Sequence, residues 1–217
     1  MTRYGAWIVF AGALLLAAAS ALAGTRPAPL DALATSFGGW APLREVRTMT
    51  YRLTRFSGGT RVGEVLYRLD LESGHVWSRD MLTNEESWWD GATGWRRAAK
   101  GNPERDAGVA DRLREHAAYH FFRLLRDPAT RAEWINLTRI RIKPAGQEAF
   151  EVELDPSDGR IRSNHFGDVT VREGFYEPVG QLVWPMKFIV EQPLKPPASG
   201  HFSAVRLLAE PALPVPP

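Results

Sequence analysis

The stretch that most constrains this chain is Ser87-Trp88-Trp89-Asp90-Gly91-Ala92-Thr93-Gly94-Trp95-Arg96-Arg97, which reads as one tight hairpin. Asp-Gly is a strong turn signal, because glycine takes the positive φ that a tight turn needs. Gly94 offers a second such position before the return strand. A loop from Asp90 to Gly94 sets Trp89 opposite Trp95, and such cross-strand aromatic pairs stabilise a sheet by about 0.2–1 kcal/mol. Trp88 then points to the other face beside Arg96, within reach of a cation–π contact. Two readings follow. Either the hairpin packs on a core, or Trp89 and Trp95 line an apolar ligand cavity.

Strands of period two flank the hairpin. Met49, Tyr51 and Leu53 alternate with Thr48, Thr50, Arg52 and Thr54, and Ser57-Gly58-Gly59 turns the chain. Val65, Tyr67, Leu69 and Leu71 alternate with Leu66, Arg68 and Asp70, and Glu72-Ser73-Gly74 turns it again. A third strand over 75–83 leads into the hairpin. Short turns between successive strands imply an antiparallel meander. Later, Ile140 and Ile142 alternate with Arg139 and Arg141, and Phe150, Val152 and Leu154 alternate with Glu151, Glu153 and Asp155. Asp155-Pro156-Ser157-Asp158-Gly159 is a turn in which proline presets φ and glycine accepts the left-handed position. With 160–166, 169–176, 187–192 and 202–208 the chain has about nine or ten strands by this pattern.

Between the two groups of strands the period changes. Asn102, Pro103 and Glu104 suit a helix start as cap, first helical residue and dipole partner. Val109, Ala110, Leu113, Ala117, Phe121 and Leu124 follow helical spacing until Asp127-Pro128 stops it. The spacing predicts one amphipathic helix over 103–126, with Tyr119 and Phe122 widening its apolar arc. Such a helix either covers one face of the sheet or moves as a lid over a cavity. A shorter helix over 30–37 ends at Gly38-Gly39.

The N-terminus carries Arg3, an apolar stretch from Ala6 to Ala19, and Ala21-Leu22-Ala23. A charged start, an apolar middle and small residues at the end make a secretory signal over 1–23, cleaved after Ala23. The apolar stretch is shorter than the roughly 20 residues of a membrane span. No cysteine follows it to take a lipid anchor, and none occurs in the chain. The remaining residues suit a single domain over 24–210, followed by an extended proline-rich tail over 211–217. Without disulfides that domain must stand on its own core. The net charge is +2, with arginines scattered among acids, so there is no stripe for nucleic acid. Eight tryptophans favour a large aromatic interior or an apolar binding surface.

Three markers stand in order along the chain. They are the Trp89–Trp95 turn, Glu153-Leu154-Asp155-Pro156-Ser157-Asp158-Gly159-Arg160-Ile161, and Leu182-Val183-Trp184-Pro185-Met186-Lys187. Their order resembles the periplasmic lipoprotein-carrier superfamily of LolA and LolB. Phe37-Gly38-Gly39-Trp40 and Tyr119-His120-Phe121-Phe122-Arg123-Leu124-Leu125 look closer to an uncharacterised exported branch of it. The resemblance implies a mainly β fold, an unclosed antiparallel β-barrel or strongly curved sheet covered by helices. The 103–126 pattern of this chain puts a long helix over its concave face. The resemblance further implies an apolar cavity for acyl chains.

Catalytic and metal motifs are wanting. His116 and His120 are spaced i, i+4, but residue 117 is Ala where a zinc-protease helix carries Glu, and no third ligand follows. Glu85 and Glu86 are neighbours on a strand and face opposite ways. The expectation is therefore an exported, periplasmic, monomeric and non-enzymatic carrier or binding protein, without cofactor or metal. Its partner is a lipid or the acyl chains of a lipoprotein. Trp77, Trp89, Trp95, Tyr119 and Phe122 are the expected ligand-binding residues. The alternatives are an envelope interaction module that binds a protein partner through the sheet, and an uncharacterised hydrolase.

Overall fold

The computed structural model describes residues 26–214. The expected export signal over 1–23 and the last three residues of the tail lie outside them. The fold is mainly β and centres on one antiparallel, unclosed sheet of thirteen strands. Strands β1 (Thr48–Ser57), β2 (Thr60–Asp70), β3 (Val76–Asp80), β4 (Glu86–Trp89), β5 (Gly94–Arg97) and β6 (Glu104–Arg105) run outward from the centre to one edge. The chain then crosses to the opposite edge. It returns inward through β7 (Arg131–Trp134), β8 (Arg139–Lys143), β9 (Phe150–Leu154), β10 (Ile161–Phe166), β11 (Val169–Val179), β12 (Leu182–Glu191) and β13 (Ala198–Leu208). The last strand pairs with the first, from Thr48↔Leu208 to Ser57↔Ala198. β6 and β7 are the two edges, and they do not pair with each other. They are also the strands that the alternation pattern misses, being two and four residues long.

Curvature comes from bulges, which bend a strand and increase its twist. The β1–β13 register shifts between Thr50 and Arg52, where Ala204 has φ 50°. Phe175 has φ 56° between the pairs Gly174↔Lys187 and Tyr176↔Pro185, where the register is unchanged and the strand kinks without an inserted residue. Neither residue is glycine, so both positions are strained turns of the strand held by its neighbours.

The crossover carries two of the helices over the concave face. Helix α3 (Ala107–Ala118) follows two short N-terminal helices, α1 (Pro29–Ser36) and α2 (Trp40–Glu45), and is followed by the single turn α4 (Phe121–Leu124). The unbroken 103–126 helix read from the sequence is therefore corrected at both ends. Glu104 and Arg105 pair with Arg96 and Trp95 as β6, and Asp106 is the cap, its side chain accepting from Val109 N–H. The helix ends at Tyr119, and His120 is extended at φ −75°, ψ 119°. The reason lies in helical geometry. At about 100° per residue, nine residues end half a turn away. A continuous helix would aim Phe122 away from Leu113, yet both are fully buried. The break re-aims Phe121, Phe122, Leu124 and Leu125 into one core.

The hairpin register is corrected too. Trp88 pairs with Trp95, and Trp89 pairs with Gly94. The Asp90 carboxylate accepts from Ala92 N–H and Thr93 N–H, at 3.0 and 2.7 Å, which closes the turn at Thr93. Gly94 is thus already a strand residue. Since side chains alternate faces, a slip of one residue changes which tryptophan faces inward. The tail is pinned as well, because Thr48 Oγ1 donates to the Glu210 carbonyl and accepts from Ala212 N–H.

Candidate functional site

Between the concave face and helix α3 lies a cavity of about 870 Å³. Alternation puts Tyr51 and Leu53 of β1 and Tyr67 of β2 on its floor. Trp184 and Phe188 of β12 and Phe202 of β13 extend the floor across the centre of the sheet. The rings meet edge to face: Tyr51–Phe202 at 5.4 Å and Trp184–Phe202 at 5.7 Å. Phe188 lies over Gly200, where a Cβ would stand 2.1 Å from the ring. Only glycine lets that ring lie flat on the strand.

The roof is helical and carries two histidines. His116 Nε2 lies 2.5 Å from the Tyr51 hydroxyl, and its ring stacks on Tyr67 at 4.4 Å. His120 stacks on Trp184 at 5.3 Å, and neither of its ring nitrogens has a hydrogen-bond partner. Burial pulls His116 down to about 4, helped by the nearby Arg112 guanidinium. Burial likewise pulls His120 down to about 3, with His116 adding to it. Both rings are neutral near pH 7, so the two histidines add hydrogen-bonding groups without charge. Among the described residues no group of three or more His, Cys, Asp or Glu is placed to hold a metal ion.

On the far wall Glu173 of β11 accepts from Asn164 Nδ2 at 2.5 Å and from the Tyr176 hydroxyl at 3.2 Å. The residue is partly open to the cavity, yet its carboxylate is closely surrounded. Burial pushes it up to about 7 against the two donors. These groups set opposite pH dependences. The histidines fall below their ordinary 6.5, so the stability they contribute is present above that pH and lost as pH falls through about 4 and 3. Glu173 rises above 4.5, so its contribution is present below that pH and lost as pH rises through about 7. Glu173→Gln removes the second effect alone. Stability should then climb more steeply from pH 4.5 to 6.5 in the variant than in the wild type. Urea titrations at a series of pH values measure this, and equal slopes would refute it.

The five residues expected from the sequence are placed differently from one another. Tyr119 lines the cavity, its hydroxyl donating to the Glu148 carbonyl at 3.3 Å. Phe122 is fully buried behind the wall, against Phe37 and Trp184. Trp89 is on the concave side and packs on the core without lining the cavity. Trp77 and Trp95 stand on the convex face, in one cross-strand row with Trp88. There Arg68, Arg97 and Arg105 cover the indoles of Trp77, Trp88 and Trp95 at 5.0, 5.1 and 5.3 Å. The one-residue change of register explains why Trp95 leaves the inner face. Sequence reading missed Tyr51, Tyr67, Trp184 and Phe202. Their signal was the shared parity of Tyr51 and Tyr67 in neighbouring strands.

A second cluster sits on the convex face. Ser163 Oγ is 3.1 Å from His165 Nε2, and Glu153 is 3.7 Å from the same nitrogen. His165 Nδ1 faces Thr170 Oγ1 at 3.2 Å. A Ser-His-acid relay needs the acid on the other ring nitrogen. This cluster puts serine and acid on one nitrogen, so it does not form that relay.

No protein-family model matches the sequence, and no curated protein matches it. Among solved structures, the chain is similar to a LolA superfamily protein from Nitrosomonas europaea. The TM-score is 0.50 at 12% identity, covering 79% of this chain and 91% of that one. It is also similar to a DUF1329 family protein from Desulfovibrio piger, with a TM-score of 0.49 at 10% identity, covering 76% and 88%. The fold is LolA-like.

Proposed function

We propose that this LolA-like chain is an exported, non-enzymatic carrier or binding protein that holds an acyl chain between its sheet and helix α3. The observation that carries the reading is the cavity itself: about 870 Å³, floored by aromatic rings and roofed by a crossover helix. Small-molecule sites typically measure about 300–1,000 Å³ and are mostly apolar with a few placed polar groups. Each methylene buried there contributes roughly 0.8 kcal/mol, so a short run of them offsets much of the association cost. Of the residues expected from the sequence, Tyr119 serves the ligand directly, while Trp89 and Phe122 support the walls. A protein partner adding a strand to the sheet finds little backbone. β6 is two residues long, and the β7 side is met by Pro27, which accepts from Trp134 Nε1, and by Arg26 over the Trp134 ring.

Trp184 reports on the cavity because it lies in the floor. Adding oleate should shift tryptophan emission to the blue. Trp184→Phe should remove most of that shift, and Trp77→Phe on the convex face should leave it intact. An unchanged wild-type spectrum with every long-chain amphiphile would sink the reading.

A further inference from the structure

The cavity wall carries charges that have found no partners. Most of the arginines that carry ion pairs are on the outer surface and turns, as Arg47 with Asp70, Arg97 with Glu86 and Arg139 with Glu151. Arg55 and Arg112, which line the cavity and are exposed, form no ion pair among the described residues. Arg112 reaches only the Ser87 hydroxyl, at 3.2 Å. Glu115, Glu148 and Asp168 also line the cavity, are exposed, and are equally free of ion pairs among the described residues.

The sheet and its turns keep the two signs apart, and on α3 the two meet, Arg112 and Glu115 lying three residues apart. Arg55 is on β1 and Arg112 is directed at β4, in the half of the sheet that runs from β1 to β6. Glu148 lies in the β8–β9 turn and Asp168 in the β10–β11 turn, in the other half. Each group marks a different tyrosine. Burial raises the Tyr67 hydroxyl, Arg55 and Arg112 pull it back, and Asp80, which Arg55 also reaches, adds a smaller push upward. Burial raises Tyr119 and Glu115 pushes it further, while the hydrogen bond to the Glu148 carbonyl offsets the smaller push of the Glu148 charge. Exposed charges remain solvated when unpaired, so this arrangement costs the free protein little. The interior behind them offers the neutral His116 ring, the Tyr51 hydroxyl and aromatic rings, with the Glu173 carboxylate on the far wall held by Asn164.

We propose that the ligand is an amphiphile with an acyl chain and a zwitterionic head. Its anion meets Arg55 and Arg112, and its ammonium meets Glu148 with Glu115 or Asp168. This rests on the acyl-cavity reading above and adds the class of head group. A purely anionic head gains the two arginines but meets three acids at the same opening. A purely cationic head meets the reverse conflict. Only a head that carries both signs satisfies both halves of the wall.

The test compares three single-chain oleoyl probes below their critical micelle concentrations: lysophosphatidylethanolamine, lysophosphatidylglycerol and monoolein. Exposed ion pairs contribute about 0.2–1 kcal/mol each. Lysophosphatidylethanolamine should therefore bind about fivefold or more tighter than monoolein, with lysophosphatidylglycerol weaker than the zwitterion. Arg55→Gln/Arg112→Gln should bring the zwitterion down to the monoolein level. Glu115→Gln/Glu148→Gln should weaken the zwitterion and strengthen lysophosphatidylglycerol. Monoolein binding in each variant checks that the cavity is intact, since all four positions are exposed. A phospholipid and a lipidated amino acid share this head chemistry. Nε-oleoyl-lysine binding as tightly as the phospholipid would assign the lipidated amino acid, and its weaker binding the phospholipid. Equal affinity for all heads, or tightest binding of lysophosphatidylglycerol by the wild type, would overturn the proposal and leave the acyl cavity standing. Failure of monoolein and every other probe to bind would overturn the acyl cavity itself.

Discussion

Gly94→Ala should destabilise the fold more than any change at the tip of the hairpin. A Cβ there would stand 2.3 Å from the Ala110 nitrogen, 2.5 Å from the Asp106 carbonyl oxygen and 2.7 Å from the Ala110 Cα. All three are backbone atoms of the first turn of α3 and its cap, so no side chain can swing aside. Overpacking a tight contact costs about 1–3 kcal/mol, and more where the neighbour is rigid. We expect about 3 kcal/mol, read as a lower urea midpoint, because the helix must lift from β5. Gly91 is the useful comparison. It has φ +95°, and an added Cβ meets His75 Nε2 at 3.1 Å, a side-chain atom that can yield. Gly91→Val should cost about 1–3 kcal/mol through backbone strain. A Gly94→Ala midpoint equal to wild type would show that α3 is not seated on the strand.

Phe122→Ala is the second large effect. The ring has no exposed surface and packs edge-on to Phe37 at 5.2 Å, Trp184 at 5.0 Å and His120 at 5.8 Å. Truncating a buried aromatic to alanine costs about 3–5 kcal/mol, combining lost burial with a residual void. Chemical denaturation should show that loss. Trp184 also floors the cavity, so the void should loosen the wall and broaden the emission response to oleate. Tyr119→Ala, three residues earlier on the cavity side, should cost less stability because Tyr119 is only half-buried. A loss below about 1 kcal/mol at Phe122 would contradict its place in the core.

The alternation of Met49, Tyr51 and Leu53, and of Phe150, Val152 and Leu154, was enough to specify strands with one apolar face. The glycine and Asp-Pro turns were enough to join them antiparallel, because those conformations are local. The helical period through Leu113 and Ala117 was enough to place an amphipathic helix in the middle of the chain. These signals act over a few residues, so the sequence carries them without reference to partners far away. The tertiary structure decided what depends on register and on distant neighbours. Asp90 accepting from Thr93 N–H fixed which tryptophans face inward, since a slip of one residue reverses the faces. The need to bury both Leu113 and Phe122 in one core broke the helix at His120. The pairing of β1 with β13 brought Tyr51 against Phe202, residues about 150 positions apart, and so built the cavity floor. Period two says which residues share a face, but only the packed sheet decides which face looks into the cavity.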